Sequence, residues 1–151
     1  MATAEAPRPE PGRPEQLRDE DGLVCDLASG KCEPCRGGIP PMDRTMIQRY
    51  LVRVPGWSVA ETPDRLVRTF RFDDFRTAQA FAVGVGDLCE EEGHHADIHH
   101  GWGYCTVEFW THKINGLHEN DFIMAAKVDG LYSGPYVPAS ASMGEAVPTA
   151  R

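Results

Sequence analysis

The sequence predicts an α+β domain: a four-stranded antiparallel sheet with helices packed on one face. Three observations predict it. Two stretches alternate apolar and polar residues with a period of two, each folded about a turn. Three stretches repeat apolar residues at helical spacing. The two kinds interleave as helix, hairpin, helix, hairpin, helix.

The first helix is expected over Asp43–Val54. Asp43 suits an N-cap, Met46, Ile47, Tyr50, Leu51 and Val54 share one stripe, and Pro55-Gly56 stops it. Trp57–Glu61 and Arg65–Phe72 follow as a hairpin around Thr62-Pro63-Asp64. The strongest helix runs Asp74–Glu92. Phe75, Ala78, Ala82, Val85 and Cys89 form its stripe, widened by Phe81 and Leu88. Gly84 and Gly86 weaken it by about 1 kcal/mol each relative to Ala, and would let a neighbour approach closely. Gly93 suits the left-handed residue that ends a helix. Asp97–Trp102 and Cys105–Thr111 form the second hairpin, with Cys105, Val107 and Phe109 on one side and Thr106, Glu108 and Trp110 on the other. The last helix is Glu119–Tyr132, with Leu117 and Phe122 spaced as a hydrophobic staple.

Composition bounds the domain and its partners. Residues 1–41 read as a flexible, Pro-rich extension with a cysteine-bearing lead-in, 42–132 as the folded domain, and 133–151 as a disordered tail, because the ends carry too few large apolar residues to offset their ordering entropy. The net charge is −8 and no Lys/Arg cluster occurs, which argues against nucleic acid as a partner. No apolar run approaches the roughly 18 residues of a membrane span. The first 20 residues lack the apolar stretch of a secretory signal and carry acidic residues foreign to a transit peptide, so a cytoplasmic location is the expectation.

The chemistry concentrates between residues 90 and 121. Four of the six histidines, His94, His95, His99 and His100, lie within seven residues, and His112 follows. Imidazole exchanges protons near neutral pH, so such a group suits proton transfer or a metal. If the second hairpin folds on itself, its ends return to one edge of the sheet. His94, His95 and His112 could then meet, with Glu90 one helical turn before His94. Trp102 lies nearer the hairpin tip.

Glu90-x3-His94-His95, then Trp102, Thr111-His112, Gly116-Leu117 and Asp121 resembles the signature of the pterin-4a-carbinolamine dehydratases (4a-hydroxytetrahydrobiopterin dehydratases). Pro55-Gly56-Trp57 and the Phe-x-Phe-x-Asp-Phe step at 70–75 fit as well, and the resemblance spans about Met42–Tyr132. It implies a homodimer or homotetramer, no cofactor, and loss of water from a 4a-hydroxytetrahydropterin to give the quinonoid dihydropterin. It also implies a functional link to an aromatic amino acid hydroxylase. Carried over, His94, His95 and His112 are the catalytic positions, with His94 as base near N5 and the other two as acids toward the hydroxyl. Glu90 would orient an imidazole, and Trp102 and Asp121 would support the site. The sequence departs from the family pattern at Gly93, at Ala96 in place of Pro, and at Ile98 in place of an aromatic.

Other readings stand beside this one. Some relatives on such a fold have lost the histidines and serve as oligomeric binding or assembly proteins; retention of the histidines here favours an enzyme. His99 and His100 read as strand or surface residues, His118 as a helix-start residue, Trp57 and Trp110 as packing. Asp121 also suits capping of the last helix. Cys25, Cys32 and Cys35 form a weak metal candidate that lacks a second Cys-x2-Cys. Cys89 and Cys105 read as reduced core residues.

Overall fold

The computed structural model describes residues 17–134 apart from 21, 35 and 36. Cys35, residues 1–16 of the expected extension and the tail beyond 134 lie outside the described residues.

Local signals set the element ends. Helix α1, Arg44–Leu51, starts where the Asp43 carboxylate accepts the Met46 N–H. Strands β1, Ser58–Ala60, and β2, Arg65–Arg71, pair antiparallel across a turn that holds a cis Thr62–Pro63 bond. Helix α2, Phe75–Glu92, is capped by Asp74, which accepts from the Thr77 N–H, and ends at Gly93 with φ 68°. Strands β3, Asp97–Gly101, and β4, Tyr104–Phe109, close the second hairpin through Trp102 and Gly103, the latter at φ 78°. A short 3₁₀ turn, His112–Ile114, follows β4 and was not expected from the strand pattern. Helix α3, Glu119–Tyr132, completes the domain.

The sheet order is β1-β2-β4-β3, all antiparallel, so the two hairpins join through β2 and β4. One sheet face supplies the core: Leu66, Phe70, Cys105, Val107 and Phe109 are buried. Onto it α2 brings Ala78, Phe81, Ala82, Val85 and Cys89, and α3 brings Phe122, Ile123, Ala125 and Val128. Leu117 and Phe122, the expected staple, are both fully buried.

Several expectations change in detail. Phe75 opens α2 with 44% of its surface exposed, beside the His100 ring at 5.7 Å. A Cβ added at Gly86 would meet nothing within 4 Å, so that glycine serves no close approach. Within the lead-in, Leu23, Val24 and Leu27 join the core, and Asp19 pairs with Arg53. Three apolar residues spaced by one and three positions are too sparse for a periodic pattern, yet they seat this strap of chain in the core.

Candidate active site

Three chain segments meet at one corner of the domain: the end of α2, the end of β4 and the start of α3. Gly93 turns the chain sharply out of α2, and the His94 N–H still donates to the Cys89 carbonyl at 3.2 Å. That turn sends the His94 side chain inward. Its ring lies nearly parallel to Phe109, 6.1 Å between centroids, and is only 5% exposed. Its Nε2 meets Asp121 Oδ1 at 2.6 Å.

Asp121 is fully buried and organises the corner. It accepts the Thr111 hydroxyl at 2.9 Å and the His118 N–H at 2.9 Å, in addition to His94. The His118 contact is half of a capping box, because the His118 ring in turn accepts the Asn120 N–H. A buried carboxylate needs several donors to offset lost hydration, and these three supply them. The α3 N-terminus, whose unpaired N–H groups favour negative charge, adds to that. One carboxylate therefore ties His94 on one side to Thr111, the neighbour of His112, on the other.

His95 and His112 lie on the outside of the same corner. The His95 ring, 62% exposed, has its Nε2 at 2.7 Å from Glu90 Oε1, one turn back along α2. Glu90, expected to orient an imidazole, thus lies within hydrogen-bond distance of His95. His112 opens the 3₁₀ turn, exposed, with its ring 3.9 Å from Trp110 at 86°. Trp110 Nε1 donates to Asp97 Oδ2 at 3.2 Å, which anchors that indole across the hairpin base.

The hairpin register, with Asp97 opposite Glu108, brings residues 94–96 and 109–112 to one end of the sheet. Trp102 sits at the other end, 46% exposed in the turn, and roughly 20 Å of extended strand separates it from Ala96. Within one chain, then, Trp102 lies at the opposite end of the hairpin from His94, His95 and His112. His99 and His100 are exposed on β3. Ala96 and Ile98, two of the departures from the family pattern, are half-buried against the core.

Two working residues were not singled out by chemistry in the sequence. Thr111 was only part of a motif, yet its buried hydroxyl fixes Asp121. Asn120 is buried and bonds the lead-in, and nothing in its spacing marks it.

Among the described residues no group of three His, Cys, Asp or Glu side chains is placed to hold a metal ion. Cys25 is exposed, and the Cys32 thiol, half-buried, donates to the Asn120 carbonyl. Cys89 and Cys105 are free and buried. Burial pushes the Cys89 thiol up and the Cys105 thiol to about 11, so neither is a ready nucleophile. No helix among the described residues is long and apolar enough to cross a membrane.

Residues 40–131 match the family model described as "Pterin 4 alpha carbinolamine dehydratase". A protein of Methylococcus capsulatus named "Putative pterin-4-alpha-carbinolamine dehydratase" is 60% identical over 108 residues, 72% of this chain and 95% of its own. One of Azoarcus sp. with the same name is 53% identical over 107 residues, 71% of this chain and 92% of its own. A crystal structure of a "transcriptional coactivator/pterin dehydratase" from Brucella melitensis matches with a TM-score of 0.57 at 26% identity, covering 60% of this chain and 97% of that one.

Proposed function

This chain belongs to the pterin-4a-carbinolamine dehydratase family, and from that premise we propose that it eliminates water from a 4a-hydroxytetrahydropterin. The observation that supports the reading is the Asp121 carboxylate, which holds His94 and Thr111 on its two oxygens.

The reaction breaks the C4a–O bond and removes the N5 proton. Hydroxide leaves as water once protonated, and the electrons of the N5–H bond form the C4a=N5 double bond of the quinonoid product. In the neutral His94 ring, donation from Nε2 to Asp121 leaves the lone pair on Nδ1. The carboxylate keeps the ring from turning and stabilises the imidazolium that forms when N5 gives up its proton. His95, held by Glu90, and His112, both exposed, deliver the proton to the departing hydroxyl. Each positioned imidazole is worth about 10²- to 10⁴-fold. Homo-oligomer formation and service to an aromatic amino acid hydroxylase belong to the same reading.

The rival reading is a non-catalytic oligomeric binding or assembly protein on this fold. The departures at Ala96 and Ile98 favour it, but both residues pack against the core, which accounts for them without a new ligand. Turnover of a 4a-hydroxytetrahydropterin, followed optically, separates the two. The enzyme reading expects saturable catalysis that the double variant His95→Ala/His112→Ala abolishes. An unchanged rate in that variant removes the assigned roles. No turnover, together with a stoichiometric protein partner in a pull-down, favours the rival.

A further inference from the structure

The family model begins at residue 40, and the strap before it has no assigned task. The strap reaches the two helix ends that carry the candidate site. Glu33 lies along α3: its N–H donates to Asn120 Oδ1 at 3.0 Å, and Asn120 Nδ2 donates back to its carbonyl at 2.6 Å. The side-chain amide thus acts as a strand partner would. One residue earlier, the Cys32 N–H donates to Glu92 Oε2 at 3.2 Å. Glu92 also meets Lys31 at 3.3 Å and Lys127 at 3.4 Å, with its own side chain only 4% exposed. Arg18 grips Glu119 with two hydrogen bonds, at 3.1 and 3.2 Å. Gly30 lets the strap lie close: a Cβ there would come 3.1 Å from the Ile123 side chain.

The positions of these anchors matter. Asn120 immediately precedes Asp121, and Glu92 precedes His94 by two residues. Consecutive strap residues therefore hold the last turn of α2 and the first turn of α3 together, and the His94–Asp121 bond spans that junction. We propose that Asn120 and Glu92 are positioning residues, and that through them the strap holds His94 on Asp121. A buried 2.6 Å contact tolerates little relative movement of its two helices, and a displacement of about 1 Å at a reacting group can cost about 10²-fold in rate. Only the kinetic half of this proposal rests on the dehydratase reading.

The test uses the full chain with nitrogen-15-labelled histidine. Asn120→Ala and Glu92→Gln are each expected to shift or broaden the His94 ring-nitrogen signals and to lower kcat about tenfold with little change in KM. Arg68→Ala, which removes the Asp129 tie on β2, supplies a control that lowers Tm without moving those signals. If Asn120→Ala fails to fold, Asn120→Asp, which retains the acceptor for the Glu33 N–H, replaces it under the same criteria. His94 signals identical to those of the unaltered protein, whether or not Tm has fallen, overturn the proposal. If the unaltered protein turns over no pterin, the dehydratase reading fails and the ring signals alone decide the role of the strap.

Discussion

Two histidine–carboxylate pairs, formed by neighbouring histidines, have almost the same length and opposite surroundings. His94 and Asp121 meet at 2.6 Å with 5% and 0% of their side chains exposed; His95 and Glu90 meet at 2.7 Å with 62% and 79% exposed. Distance alone would rank them equal. In the buried pair each group has given up hydration and depends on its partner, so removing one leaves the other unsatisfied. In the exposed pair water replaces a lost partner at little expense, and salt screens the attraction. The backbone turn at Gly93 produces the contrast, sending adjacent side chains to opposite sides of the surface. One imidazole is thereby enclosed and the other left open to solvent.

The contrast breaks most directly at Asp121. Asp121→Ala is expected to lower unfolding free energy by about 3–5 kcal/mol, since it strands His94 and Thr111 and removes a cap. Denaturant titration measures it, and a loss no larger than that of Glu90→Ala would refute the ranking by burial. Next in size, His95→Ala should cut turnover by about 10²-fold or more at unchanged Tm, whereas His94→Ala should lower both. A His94→Ala protein with unaltered Tm would show that the buried pair contributes no stability. Glu92 offers a pH-dependent version. Burial pushes its carboxyl up, but the Cys32 N–H and the Lys127 and Lys31 ammonium groups more than reverse this, leaving it below its ordinary value. Stability from a carboxyl depressed in the folded state is present above the unfolded pKa, about 4.3. It is lost as the pH falls through the folded value. The gap between the unaltered protein and Glu92→Gln should therefore be widest above about pH 4.3 and close as the pH falls through the folded value, which lies lower. A gap that does not change with pH would mean that the charge of Glu92 contributes nothing. Smallest of all, Glu90→Gln should change stability by about 0.5 kcal/mol or less, and 0.5 M salt, added to both proteins, should erase even that.

Elements whose cause lies within a few residues were legible in the sequence. Asp43 and Gly93 mark helix ends because capping is a contact between near neighbours. The hairpins follow from period-two alternation, and the return of residues 94 and 112 to one end of the sheet follows from hairpin geometry. The histidine pair, Glu90 and His112 were legible as a motif, but helical spacing put Glu90 one turn before His94, and it is His95, past the helix end, that Glu90 meets.

What the chain could not declare locally is which histidine goes inside. The partner of His94 lies 27 residues away on another helix, and Asp121 alone reads equally well as a cap. Leu23, Val24 and Leu27 likewise carry no period of their own, and their burial depends on core residues far along the chain. Periodicity and caps act over one or two turns of chain, and the amino-acid order determines them directly. Burial, and with it the strength of every charge pair, depends on groups far apart in sequence, and the packed structure decides it.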